Sequence, residues 1–113
     1  MNIQALQELT NAKLLTPDVD LSREVTCGYC CDLLSWVMSH GKSGMAWVTV
    51  QTHMNAVAVA TLMEMTAIIV PEGIQVPEEV VKRASDEGLA ILSSDKTAYE
   101  LCGLMYEAGI TKS

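Results

Sequence analysis

Apolar residues recur along the chain with a helical period in some stretches and as short continuous runs in others, and the two kinds of stretch take turns. Ile3, Leu6 and Leu9 have helical spacing and predict a short opening helix, stopped near Asn11, a residue that tolerates a left-handed terminal position. Residues 13–15 can form a short strand, and Thr16-Pro17-Asp18 is turn chemistry. A polar linker ends at Arg23-Glu24, before a strand-like run from Val25 to Tyr29. Asp32 then stands where an N-cap is expected, ahead of a helix over residues 33–39 whose stripe is Leu34, Val37 and Met38 and which Gly41 closes. Residues 47–50 are large and β-branched and predict a strand, after which Thr52 or Asn55 caps a helix over about residues 56–65. That helix is apolar nearly all round, so it is either sandwiched in the core or half of an oligomer interface. Residues 67–70 are a continuously apolar strand ended by Pro71. Pro77 opens a helix at its first position, Glu78 and Glu79 suit its dipole, and Gly88 stops it. Ile91 and Leu92 make one more strand, and Thr97 with Glu100 has capping-box spacing for a last helix ending at Gly109.

From Val25 onward strands and helices alternate, which calls for right-handed crossovers and a mainly parallel sheet covered on both faces. The fold class expected is therefore α/β, a three-layer sandwich with a short N-terminal helix and an edge strand. The link between the first two strands is too short for a crossover helix, which makes residues 13–15 an antiparallel edge or a hairpin partner. Residues 1–113 read as a single domain, and with 50% hydrophobic and 19% charged residues the chain can bury a substantial core.

Charge narrows the partners. A formal net charge of -7 repels phosphate backbones and anionic lipid, which argues against autonomous nucleic-acid or membrane-surface binding. Residues 1–20 show no basic region ahead of an apolar one, and the apolar stretch over residues 56–70 is broken by Glu64 and falls short of the roughly 20 residues of a membrane span. A cytoplasmic protein with reduced thiols is the expectation.

Ligands of open α/β sheets sit outside the carboxyl ends of the strands, and several of those ends are polar here. Gln51, Thr52, His53 and Asn55 follow a buried strand and precede a helix N-terminus, where free amides can hold an anion beside an imidazole. Gly73 and the pair Ser93 and Ser94 follow the next two strands. These seven are the candidate ligand-binding residues, for a small anionic metabolite or nucleotide, although a capped and solvated loop would use the same residue types. His40, near a helix end, suits a partner for the C-terminal dipole.

Cys27, Cys30 and Cys31 form a C-x-x-C pair with an adjacent third thiol, and Cys102 lies far along the chain in a helix. Zinc or an iron–sulfur cluster wants four well-placed ligands, whereas an extended strand points Cys30 and Cys31 to opposite faces. A C-x-x-C thiol at a helix N-terminus can be activated, but here the pair precedes the helix. Thiols used as small apolar side chains account for them without chemistry. The methionines read as core or dimer packing. No cofactor is expected. The chain contains no G-x-x-x-x-G-K-[ST], G-x-G-x-x-G, H-E-x-x-H or G-x-S-x-G, so no catalytic template applies.

Gly28-Tyr29, Asp32-Leu33-Leu34-Ser35, the run from Trp47 to His53, Asn55, Val57 to Ala60, Ala67-Ile68-Ile69-Val70 with Glu72-Gly73, Glu87-Gly88 with Ile91-Leu92-Ser93, and Tyr99-Glu100-Leu101 together resemble the DRTGG-domain family over nearly the whole chain. The similarity is to its short stand-alone members, related to the N-terminal domain of HPr serine kinase and found near iron-hydrogenase genes in anaerobes. The resemblance implies an α/β regulatory or oligomerisation module with no reaction of its own, attached elsewhere to phosphotransacetylases and CBS-containing pyrophosphatases. The namesake Asp-Arg-Thr-Gly-Gly is replaced by Pro71-Glu72-Gly73-Ile74-Gln75, which keeps one glycine and loses the arginine. Three functions follow as expectations: a homodimeric assembly module, a sensor of a small anionic ligand, and a redox or metal accessory to hydrogenase metabolism using Cys27, Cys30 and Cys31.

Overall fold

The computed structural model describes residues 1–112. Its elements are α1 (Ile3–Thr10), β1 (Lys13–Leu14), β2 (Cys27–Cys30), α2 (Leu34–His40), β3 (Met45–Val48), α3 (Met54–Leu62), β4 (Ala67–Val70), α4 (Glu78–Asp86), β5 (Ala90–Ser93) and α5 (Ala98–Glu107). One sheet runs in the order β1-β5-β4-β3-β2, with β2 to β5 parallel and β1 antiparallel to β5. Because β2, β3, β4 and β5 lie side by side in chain order, every right-handed crossover lands on the same face. α2, α3 and α4 pack there in a row, while α5 turns to the other face beside α1. The architecture is the expected three-layer α/β sandwich.

Strand alternation divides the core in two. Met45, Trp47, Ile68, Val70 and Ile91 point into the layer of α2, α3 and α4, and Ala46, Val48, Ala67, Ile69, Ala90 and Leu92 point toward α1 and α5. Burial on both faces is why these strands read as unbroken apolar runs. Trp47 is fully buried and donates its indole N–H to the Cys31 carbonyl at 2.8 Å, so the largest core side chain leaves no polar atom unpaired. Among the described residues no helix is long and apolar enough to cross a membrane.

Local signals account for the helix ends. The Asn2 side chain accepts from the Ala5 amide to start α1, and Asn11 ends it at φ 53°. Thr97 and Glu100 form the reciprocal capping box of α5, and Gly88 lies beyond α4 at φ 74°. Pro77 sits at the N-cap of α4, one residue before the position expected of it. Gly41 ends α2 at φ -63°, so its value is space rather than conformation: a Cβ there would lie 2.8 Å from Met65 Cε and 3.0 Å from the Val37 carbonyl.

Three expectations are corrected, and one choice between two alternatives is settled. Asp32 does not cap α2; its carboxylate turns to the Thr49 hydroxyl and the Val50 amide, Leu33 takes the N-cap without a side-chain bond, and the helix runs one residue later. That bond at Val50 also draws the chain out of the sheet, so β3 ends at Val48, while its start moves back to Met45, which pairs with Cys27. α3 begins at Met54 because His53, not Thr52 or Asn55, caps it, and it stops at Leu62 ahead of Glu64 in a left-handed turn at φ 57°. Of the two alternatives for β1, the antiparallel edge is the one formed: it pairs with β5, at the margin opposite β2, and makes no hairpin with β2. The linker carries the chain back, tied by the Leu15 amide to the Ile91 carbonyl and by the Val25 amide to the Met1 carbonyl.

Candidate functional site

The connections after β4 and β5 leave for opposite faces, since α4 covers one side of the sheet and α5 the other. Between adjacent parallel strands this divergence opens a crevice outside their carboxyl ends. Its floor is zipped by backbone: the Glu72 amide donates to the Lys96 carbonyl at 2.8 Å, the Gly73 amide to the Ser94 carbonyl at 2.8 Å, and the Ser94 amide to the Val70 carbonyl at 2.9 Å. Glu72 at φ 62° and Gly73 at φ 65° make the left-handed turn that allows this. Gly73 suits the position for its left-handed conformation; the one atom near a Cβ there, Asp95 Oδ1 at 3.0 Å, ends an exposed side chain that can turn aside.

An open groove of about 340 Å³ lies over that floor, lined by Lys13, Leu15, Gly73, Ile74, Gln75, Val76, Ser93 and Asp95. β1 delivers Lys13 to it, because the antiparallel register sets Lys13 opposite Ser93. The groove thus presents an ammonium, a hydroxyl, an amide and a carboxylate. The amides of Glu72 and Gly73 are engaged within the protein, so an anion arriving here is met by the Lys13 side chain rather than by a backbone cradle. Asp95 suits hydroxyl or amino donors of the same ligand.

The candidate residues separate into three places. Gly73 and Ser93 line the groove. Ser94 is buried beneath them, its hydroxyl accepting from the Lys96 amide at 3.0 Å, and it holds the loop rather than facing a ligand. Gln51, Thr52, His53 and Asn55 belong to the neighbouring strand end and line no part of the groove. There Gln51 donates from Nε2 to the Asp32 carbonyl at 2.8 Å, and His53 accepts from the Asn55 amide through Nδ1 at 3.2 Å as the cap of α3. The exposed Asn55 borders a different, apolar groove with Leu34, Met38, Ala58 and Leu62. His40 sits in the last turn of α2, its Nδ1 2.9 Å from the Trp36 carbonyl and its ring stacked on the indole.

Lys13, Gln75 and Asp95 are the polar groove residues absent from the candidates named from the sequence. Gln75 and Asp95 lie in the strand-end loops already singled out, so the strand-end rule alone could have included them. Nothing local marks Lys13, because its place depends on which margin of the sheet β1 joins.

The cysteine cluster does not converge. Cys27 is buried among the side chains under α2 to α4, and the Cys31 sulfur lies 3.9 Å from the Leu33 carbonyl. Cys30 faces the opposite layer, where it shares a pocket with Cys102; partial burial first, and then the nearby Cys102 thiol, push its pKa up to about 12. Among the described residues no group of three or more His, Cys, Asp or Glu side chains is placed to hold a metal ion.

No family model matches the sequence, and no curated protein matches it. Among solved structures the chain is similar to the CBS and DRTGG domains of the regulatory region of Clostridium perfringens pyrophosphatase, complexed with its activator diadenosine tetraphosphate. The TM-score is 0.76 at 11% sequence identity, over 99% of this chain and 51% of that one, so the chain spans about half the length of that structure. At such identity the likeness is one of fold, and it agrees with the resemblance carried by the residues: the domain is DRTGG-like in architecture.

Proposed function

We propose that the protein is a non-catalytic regulatory module of the cytoplasm that binds a small anionic metabolite or nucleotide at the carboxyl ends of β4 and β5. The observation that carries this reading is the groove where α4 and α5 part, with Lys13 set against Ser93 and Gly73 at its rim. Lys13 takes the phosphate or carboxylate, Ser93 donates a hydroxyl hydrogen bond, and Asp95 accepts from a sugar or amine. The solved regulatory region with the same fold, which holds a nucleotide activator, supports the same class of ligand. Calorimetric titration with AMP, ATP, diadenosine tetraphosphate and acetyl phosphate tests it. One of these is expected to bind, and Lys13→Ala to weaken that binding about tenfold, the loss of one charge-assisted hydrogen bond. No heat from any of them, or binding indifferent to Lys13, would sink the proposal.

The same module, in this reading, assembles as a homodimer through the outer face of α2 and α3. Leu33, Trp36, Met38 and Leu62 expose 62%, 52%, 49% and 67% of their surface, and Met38 and Leu62 border one shallow apolar groove with the exposed Ala58. So many large exposed apolar side chains on two neighbouring helices suit an interaction surface. The small Ala58 permits close approach of a second α3, and a two-fold axis there would pair like with like. Sedimentation velocity at micromolar concentration is the check, and a monomer would refute it.

A further inference from the structure

We propose that Cys30 and Cys102 are a reversible dithiol–disulfide pair which, when oxidised, ties α5 to the edge strand β2. The pairing follows from two periodicities. Gly28 and Cys30 share the face of β2 that looks toward α5, and a Cβ on Gly28 would meet Met105 Cε at 3.1 Å and Ile110 Cγ2 at 3.3 Å, so Met105 lies over Gly28. Two residues along the strand advance about 6.6 Å, and three residues back along an opposed helix advance about 4.5 Å, which brings Cys102 over Cys30. Both thiols open onto one surface pocket of about 240 Å³, with Met105 and Tyr29 also in its lining. Cys30 is exposed and Cys102 half-buried, so an oxidant reaches the pair from solvent.

The other cysteines are excluded by geometry. Cys27 is buried on the far side of the sheet, and Cys31, although adjacent in sequence, turns its sulfur to the Leu33 carbonyl. The reaction is an exchange with a low-molecular-weight disulfide. One cysteine sulfur attacks it to give a mixed disulfide and releases one small thiol. The second cysteine displaces the other small thiol, leaving a Cys30–Cys102 bond. The two protein thiols are oxidised, the small disulfide is reduced to two thiols, and the two S–H protons end on those thiols.

The whole protein, equilibrated in graded mixtures of oxidised and reduced glutathione and then alkylated, tests this by intact-mass and peptide mapping. The expected product has lost two hydrogens, shows a Cys30–Cys102 cross-linked peptide, melts at a higher temperature than the reduced form, and returns to it with dithiothreitol. Cys102→Ser should instead trap a glutathione adduct on Cys30, while Cys27→Ser and Cys31→Ser should leave the cross-link intact. Thiols that all remain open to alkylation, a stable adduct on the unaltered protein, or a different pairing would each overturn the proposal.

Discussion

Asp32 offers the sharpest test of how the loop after β3 is built, because one carboxylate oxygen serves two donors. Its Oδ1 accepts from Thr49 Oγ1 at 2.9 Å and from the Val50 amide at 2.9 Å, and Thr49 Oγ1 in turn accepts from the Gln51 amide at 3.2 Å. Asp32→Ala removes the acceptor. Val50 is exposed, so its amide recovers a water, but Thr49 is only 1% exposed and its hydroxyl hydrogen is left unpaired. A hydrogen bond to a charged group contributes about 1.5–3 kcal/mol and a stranded buried hydroxyl costs a similar amount, which after rehydration of Val50 gives an expected loss of about 2 kcal/mol. Asp32→Asn keeps an oxygen at Oδ1 without the charge and should cost about 1 kcal/mol. For a domain of this size those losses lower the thermal midpoint by about 8 °C and about 4 °C. Urea unfolding monitored by the Trp47 fluorescence, alongside calorimetric melting, measures both. An Ala variant within about 0.5 kcal/mol of the parent, or an Asn variant as damaged as Ala, would refute the shared-oxygen account. Asp32 lines no part of the β4–β5 groove, so affinity for a groove ligand should be unchanged in the folded variant.

Other outcomes follow from the same structure. Thr97→Ala should cost about 1 kcal/mol in urea unfolding, because it removes the α5 cap. Hydrogen bonds from the Thr97 amide and hydroxyl hold the Glu100 carboxyl below its ordinary value of 4.5, so Glu100 stabilises the fold above that pH and loses its contribution as pH falls through the lowered value. The stability gap between the parent and Glu100→Gln, followed by urea titration, should accordingly be constant near neutrality and shrink progressively as pH falls below 4.5. Leu62→Glu places a charge in the apolar face of α3 and should convert the proposed dimer to a monomer in sedimentation without lowering the melting temperature of the monomer, since Leu62 is largely in solvent.

Helix ends were legible wherever the signal and its partner lie within a few residues. Asn11 at φ 53°, the Thr97–Glu100 box and Gly88 at φ 74° all behave as their types predict. Asp32 and His53 show the opposite case. Asp32 looks like a cap until the end of β3, with its Thr49 hydroxyl and Val50 amide, arrives beside it from a different strand. His53 supplies a cap that residue preference assigns to Thr52 or Asn55.

Apolar periodicity, turn residues and chain order are local properties, so the alternation of elements and the three layers were legible before any long-range contact, and chain order singled out the strand ends as candidate ground. Gly73 and Ser93 stood out for the same reason. The pairing of β1 with β5, which brings Lys13 to Ser93, and the crossing of β2 by α5, which brings Cys102 to Cys30 and parts Cys30 from Cys27, arise in the folded chain alone. Sheet order and helix-layer choice are settled by burying both faces of the sheet at once, a condition on the whole chain that no window of neighbouring residues contains.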